Sequence, residues 1–262
     1  MNILQEIAER TKERIEAQKR AVPLKTLMET AHSGNDSSAF RFEKALKSKD
    51  ISFICEVKRA SPSKGVISED FPYLTIAKDY ETAGAAAISV LTEPFYFKGD
   101  NRYLGEIADT VAIPLLRKDF TVDSYMIFEA KVHGASAVLL ICAILDKDTL
   151  AEYINTAHSI GLSALVEAHT EAEVEMALAA GARIIGVNNR DLKTFEVDIT
   201  LSKRLRKMIP REIIFVSESG IRCADDVELL RQNGVDAVLI GETLMRSSDK
   251  KAELAKLRGF ML

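Results

Sequence analysis

The 262 residues are 47% hydrophobic and 28% charged, the balance of a soluble globular chain with apolar material for one sizeable core. A formal net charge of -4 and a pI near 5.7 remove the electrostatic reason to expect nucleic acid or an anionic membrane as partner. No apolar run reaches the roughly 20 residues of a membrane helix, and Cys55, Cys142 and Cys223 show neither a disulfide framework nor zinc-ligand spacing, which fits a reduced cytoplasm.

The chain opens on MNILQEIAERTKERIEAQKR, which lacks the apolar stretch of a signal peptide and carries too many glutamates for a transit peptide. Leu4, Ile7, Thr11 and Ile15 along one face predict an amphipathic helix. SAFRFEKALKSK, Ser38 to Lys49, predicts a second, after a connection that holds Pro23 and a polar, turn-rich end. Residues 1–50 are therefore read as a helical extension packed on the remainder of the chain, capping one mouth of it.

From residue 51 onward short apolar runs alternate with segments of helical periodicity. The predicted strands are Ile51–Val57, Ala86–Leu91, Ala112–Leu116, Ala137–Ile141, Ala164–Val166, Ile184–Val187, Ile213–Val216 and Ala237–Ile240. The predicted helices are Tyr73–Ala83, Arg102–Thr110, Ser124–His133, Lys147–Ile160, Glu171–Ala180, Thr200–Met208, Ala224–Asn233 and Asp249–Leu257. Alternation of this kind argues for a parallel sheet buried on both faces. Eight such units in a length near the ~250 residues typical of barrels predict an α/β fold, a (β/α)8 TIM barrel with an N-terminal helical extension. The whole chain, 1–262, is read as a single domain, with the extension on 1–50 and the barrel on 51–262.

In a barrel every second strand residue faces the interior, and active-site groups come from the C-terminal strand ends. Glu56 and Lys58 share the parity of Ile54, Lys118 that of Leu116, Glu167 that of Leu165, Asn188 and Arg190 that of Gly186, and Glu218 that of Val216. A single charge at a strand end is ordinarily a solvated loop residue. Seven polar groups in phase at one end of a barrel would repeat the desolvation cost with no benefit to folding, so they predict a cleft. Arg117 and Asp119 have the opposite parity and are read as structural or loop-anchoring, while Phe120 is either core or a platform for a planar substrate. His32, His133, His158 and His169 fall in the extension, at helix ends or in a loop; His169, two residues beyond Glu167, is not counted in the site.

SESGIR after the seventh strand and LIGETLM after the eighth place Gly220, Ile221, Gly241 and Glu242 where barrels often build a phosphate site from backbone N–H groups. KRASPSKG adds Lys58 and Ser61. The sequence shows no metal triad, no dinucleotide fingerprint and no Ser–His–Asp set, so no cofactor is expected. A positioned lysine and glutamate suggest acid/base chemistry on a phosphorylated carbonyl compound.

EVKRASPSKG, LLRKDF, LVEAH, GVNNRDLKTF, SESGI and LIGETLM, in this order, resemble the motifs of the indole-3-glycerol-phosphate synthase family of tryptophan biosynthesis, over about residues 51 to 246; the helical extension is similar too. The resemblance implies a carboxy-lyase that closes 1-(2-carboxyphenylamino)-1-deoxyribulose 5-phosphate to indole-3-glycerol phosphate with loss of carbon dioxide and water. By motif it implies Lys118 as the general acid on the ketose carbonyl, Glu167 as the general base of later steps, and Lys58 as holder of the substrate carboxylate and a second acid in the dehydration. Glu56, Asn188 and Glu218 would orient the lysines and the sugar hydroxyls, and Arg190 and Ser219 would support the rim. The phosphate would sit among Ser61, Gly220 and Gly241, with Lys58 nearby; Glu242 and Phe120 are counted with the substrate-binding residues. The expected partner is one small phosphorylated molecule, with no nucleic acid and no membrane, and the expected assembly is a monomer or weak homodimer. The residue types alone leave rivals open: a Schiff-base aldolase with an inward lysine as nucleophile, a sugar-phosphate isomerase, and a catalytically silent binder of a phosphorylated ligand.

Overall fold

A computed structural model of the protein describes residues 3–33, 39–191 and 194–259. Met1, Ser38 and the turn-rich end of the first connection, and Leu192 and Lys193 of GVNNRDLKTF, lie outside the described residues. The apolar runs form β1 (Ser52–Val57), β2 (Ala87–Leu91), β3 (Leu115–Lys118), β4 (Ala137–Ile141), β5 (Ser163–Ala168), β6 (Ile184–Asn188), β7 (Ile214–Glu218) and β8 (Ala237–Ile240). Each pairs in parallel with its chain neighbours, and β8 closes on β1 through Ser52–Cys55 against Ala237–Ile240, so the sheet is a closed barrel. Helices α4 (Tyr73–Thr82), α5 (Asn101–Ala108), α6 (Tyr125–Val132), α7 (Lys147–Ser159), α8 (Glu171–Ala179), α9 (Thr200–Leu205) and α10 (Ala224–Gln232) alternate with the strands. A short helix, α11 (Glu242–Arg246), and α12 (Lys250–Leu257) come after β8.

Several boundaries differ from the periodicity for identifiable reasons. β3 starts at Leu115 rather than Ala112, because Pro114 has no N–H to give a ladder and the N–H groups of Ala112 and Ile113 donate instead to Glu81 Oε1. Strands β5, β6 and β7 run on through Glu167, Asn188 and Glu218, where the apolar run had marked an end. Backbone pairing continues there because these side chains face a cavity, so the ladder loses nothing to their polarity. The loop after β1 holds a small hairpin, Ala60–Ser61 against Gly65–Val66, which the sequence did not suggest.

The extension comprises α1 (Ile3–Ala21), α2 (Leu24–His32) and α3 (Arg41–Leu46). Pro23 both ends the first helix and starts the second, since its missing N–H is harmless at a helix entry; the stretch read as a connection is therefore largely helical. The two flanking helices cover opposite ends of the barrel rather than one mouth. Phe42 and Leu46 of α3 are buried in the interior cluster, and the Glu43 N–H donates to Ser163 Oγ at the start of β5. Leu4 and Ile7 of α1 join the same cluster beside Phe120, at the end where the strands finish. Burying a side chain such as Phe42 contributes ~1.5–3 kcal/mol, so each cap has an apolar anchor.

Alternation along the strands separates two cores. Ile54, Leu116, Leu165, Val216 and Leu239 fill the barrel, while Phe53, Cys55, Val138, Ile185 and Phe215 face the helices. Above the inner layer, at the C-terminal strand ends, apolar filling gives way to polar groups.

Candidate active site

A cavity of roughly 660 Å³ opens at that end of the barrel. Its floor is made by residues two positions beyond the inward apolar ones, so each is aimed by its strand rather than by a loop. Lys118 at the end of β3 is central: Nζ donates to Glu167 Oε2 on β5 at 3.0 Å and to Glu218 Oε2 on β7 at 2.7 Å. Lys58, just past β1, donates to Glu56 Oε1. Asn188 at the end of β6 hydrogen-bonds Glu167 and, through Oδ1, accepts the Arg190 N–H at 3.1 Å.

Space for these carboxylates comes from glycines. A Cβ at Gly186 would run into Glu218 Oε1, and one at Gly241 into Glu56 Oε1 and Lys58 Nζ. Gly241 thus has a packing reason of its own, distinct from the close approach of an anion that its motif suggested.

The carboxylates of the site are buried, and its charges perturb one another. Burial pushes the Glu218 carboxyl up, and the neighbouring Glu167 charge adds to this against Lys118, taking it to about 7. Glu218 Oε1 is buried with no hydrogen-bond partner among the described residues. Burial also acts to raise Glu167, but the charges of Lys118 and His169 and hydrogen bonds from Lys118 and Asn188 hold it below the ordinary carboxylate value. Burial opposes the charge on Lys118, yet Glu167, Glu218 and Glu56 more than offset it, so the ammonium is held above its usual value. Two carboxylates on one lysine are pushed apart, the pattern that separates acid/base roles within a site.

The rim and walls divide by chemistry. Ser61, Ser219 and Gly220 line one side, with Ser219 at φ 68° and Gly220 at φ 83°, and Arg190, Arg222 and Arg246 add positive charge there. Arg190 itself is steadied by donating Nη1–H to the Phe195 carbonyl at 3.2 Å. Glu242 also lines the cavity, but its carboxylate is engaged by Arg246 at 3.1 Å and Lys64 at 3.6 Å, which ties α11 to the loop after β1. The opposite wall is apolar: Phe97 and Phe120, with ring centroids 6.1 Å apart, stand with Leu139, Ile141, Leu4 and Ile7.

Every candidate site residue named from the sequence borders this one cavity. Arg117 and Asp119 bond on the far side of β3, to Glu129 and Arg14; Asp119 also reaches the cavity wall beside Phe120. Of the apolar wall, the sequence reading named Phe120 but missed its neighbours. Leu139 and Ile141 carried a parity signal in β4, but apolar residues in phase read as core; Phe97 lies in an irregular loop, EPFYFKG, where no periodicity applies. His169 was also set aside, although its ring stands 3.6 Å from Glu167.

The molecule is thus a (β/α)8 barrel with lysine–carboxylate pairs and a basic rim around a cavity at the C-terminal mouth. Solved structures similar in fold include a mutant tryptophan synthase alpha-subunit from Pyrococcus furiosus, with a TM-score of 0.62 at 17% identity over 80% of this chain and 99% of that one. A 3-hexulose-6-phosphate synthase gives a TM-score of 0.63 at 13% identity, over 81% and 100%. Within that class the sequence is more specific. A model of the indole-3-glycerol phosphate synthase family matches residues 4–257. The chain is 61% identical over 257 residues to the indole-3-glycerol phosphate synthase of Ruminiclostridium cellulolyticum, covering 98% of this chain and 99% of the relative. It is 54% identical over 256 residues to that of Endomicrobium trichonymphae, covering 98% and 99%. The chain belongs to the indole-3-glycerol phosphate synthase family, carboxy-lyases of tryptophan biosynthesis.

Proposed function

We propose that the chain converts 1-(2-carboxyphenylamino)-1-deoxyribulose 5-phosphate to indole-3-glycerol phosphate by lysine/glutamate acid–base catalysis in this cavity. The observation that carries the reading is Lys118 held protonated at hydrogen-bond distance from Glu167 and Glu218, between an aromatic wall and a basic rim. The aromatic ring of the substrate lies against Phe120 and Phe97. The phosphate sits by Ser61, Gly220 and Gly241 within reach of Arg190, Ser219 supports that rim, and Glu242 orders it through Lys64 and Arg246. Anchoring both ends folds the chain so that its reacting carbons meet.

The chemistry depends on where protons can go. The aromatic carbon bearing the carboxylate attacks the ketose carbonyl carbon, and the carbonyl oxygen takes the Lys118 proton as it becomes an alkoxide; a cation fixed in a dry site stabilises that charge without reorganisation. Carbon dioxide leaves and its bonding pair restores the ring. The new hydroxyl departs as water with a proton from Lys58, while Glu167 removes a proton from the adjacent carbon and the indole double bond forms. Glu167 returns its proton to Lys118 across their hydrogen bond, and Lys58, nearer the mouth, is reprotonated from solvent; the sum is one proton taken up per turnover. Glu56, Asn188 and Glu218 hold the two lysines and the base in register.

The reaction calls for no cofactor, and among the described residues no group of three or more His, Cys, Asp or Glu is placed to hold a metal ion. Among those residues, too, no helix is long and apolar enough to cross a membrane. We read the chain as one catalytic domain acting in the cytoplasm on a small phosphorylated substrate, as a monomer or weak homodimer. The test is to mix the purified protein with synthetic substrate and follow indole fluorescence. A rise that vanishes in Lys118→Met supports the reading. A covalent adduct trapped by borohydride at Lys118 or Lys58, with no rise, would move the assignment to Schiff-base chemistry.

A further inference from the structure

A general base at Glu167 must stay ionised and keep one carboxylate edge fixed toward the substrate. Lys118 holds Oε2, at 3.0 Å. The other oxygen, Oε1, faces Nε2 of His169 at 3.6 Å. On the far side of the same ring, Nδ1 stands 3.5 Å from Glu173 Oε2, and that oxygen also accepts the His169 backbone N–H at 2.6 Å. Glu173 is itself fixed in the first turn of α8, where its N–H donates to the N-cap Thr170 Oγ1. The imidazole therefore lies between two carboxylates, one on the cavity floor and one at a helix start. Both ring nitrogens are closed off from solvent and make no hydrogen bond with the described residues. A neutral imidazole so placed would forfeit a donor and an acceptor, whereas an imidazolium between two anions recovers much of that cost electrostatically.

We propose that His169 is a positioning residue of the reaction: an imidazolium held by Glu173 that fixes the Oε1 edge of Glu167 and keeps this base ionised. The inference rests on Glu167 being the general base. The carboxylates acting on the ring are Glu167 from β5, Glu173 from α8 and Glu218 from β7; the Lys118 ammonium from β3, on the other oxygen of Glu167, opposes them, and Cys142, after β4, donates its thiol to the Glu173 carbonyl and adds no charge. Burial alone would push His169 down, but the contact with Glu173 and the three carboxylate charges leave it above its ordinary value. The sign is therefore fixed. The cation is present at low pH and is lost as pH rises through that raised value, so wild-type turnover declines on the alkaline side as Glu167 loses its support.

The experiment compares pH profiles of kcat and kcat/KM for the wild type, His169→Asn and Glu173→Gln. In His169→Asn the acid limb moves up by about one pH unit, turnover at pH 7 falls about tenfold, KM stays within about twofold, and the histidine-dependent alkaline decline disappears. In Glu173→Gln that decline moves to lower pH, because the ring has lost a partner. A His169→Asn profile that overlays the wild type overturns the proposal, and so does a fall in turnover with both limbs unmoved, which marks a merely structural role. Glu167→Gln separates the two levels: retained turnover in that variant refutes the base assignment itself, whatever His169 does.

Discussion

Arg117 and Lys118 are adjacent in β3, one buried and the other partly exposed to the cavity, and they belong to different kinds of site. Arg117, 2% exposed, points outward and engages all three guanidinium nitrogens, donating to Thr92 Oγ1, the Met126 carbonyl, Glu129 and Asp119. Asp119 in turn accepts from Arg14 of α1, Thr92 and the Phe120 N–H. Burial would raise its carboxyl, but Arg14 and Arg117 outweigh that and hold it below the usual value. On the inner face Glu218 keeps an unpartnered oxygen and is pushed up to about 7. Burial of charge is common to both networks. Satisfaction of the carboxylate separates them: both oxygens of Asp119 accept hydrogen bonds and pin α1 across the mouth, with Arg14 Nε left without a partner among the described residues, while the inner set retains a carboxylate oxygen and a near-neutral titration that a substrate can exploit.

The contrast can be broken, and the largest effect falls on chemistry. Lys118→Met should lower turnover about 10⁴-fold, ~5.5 kcal/mol in barrier, while ligand affinity stays within about tenfold and the urea midpoint changes little. Intact turnover would erase the distinction between the two faces. Asp119→Asn should do the reverse, costing ~3 kcal/mol of stability at neutral pH because it removes the carboxylate that Arg14 and Arg117 share, Arg117 keeping Glu129. Since the folded carboxyl titrates below its unfolded value, this contribution is present above the unfolded value and is lost as pH falls through the folded one. Denaturant titrations at pH 7 and near pH 3 should show the gap to wild type narrowing in acid.

Glu218→Gln sharpens the comparison from the other side. Its raised value means that the folded state binds more protons than the unfolded chain between the usual carboxylate range and about pH 7, so wild-type stability falls as pH rises across that window. The amide should remove the fall and stabilise the protein at pH 8 by on the order of 1–3 kcal/mol, while turnover drops, the trade expected of a functional site. A destabilised Glu218→Gln at pH 8 would place Glu218 with the structural set. Smallest is Gly186→Ala, whose Cβ displaces the flexible end of Glu218 and presses more lightly on Leu165 Cδ1: kcat/KM should fall about tenfold, ~1.4 kcal/mol, with a small drop in melting temperature.

Much of this was legible before folding. The parity of Glu56, Lys118, Glu167, Asn188 and Glu218 with apolar residues two positions earlier placed them on the inner face, because the side-chain period of a strand is two and a closed barrel leaves its interior on one side. The same rule assigned Arg117 to the outer face. It failed where no period applies: Phe97 lies in a loop organised by Glu93, whose carboxylate accepts the N–H groups of Phe95, Tyr96 and Phe97. Its limits also show in His169, whose place between Glu167 and Glu173 depends on where the strand hands over to α8.

The sequence by itself determined the alternation of elements, the inward set of polar groups and the family, since these arise from local periodicity and ordered motifs. Only the tertiary structure decided that Lys118 serves two carboxylates from strands 49 and 100 residues away, and that α1 and α3 close opposite ends. Those facts depend on distances between segments remote in the chain. Local preference cannot encode such distances, and barrel closure fixes them all at once.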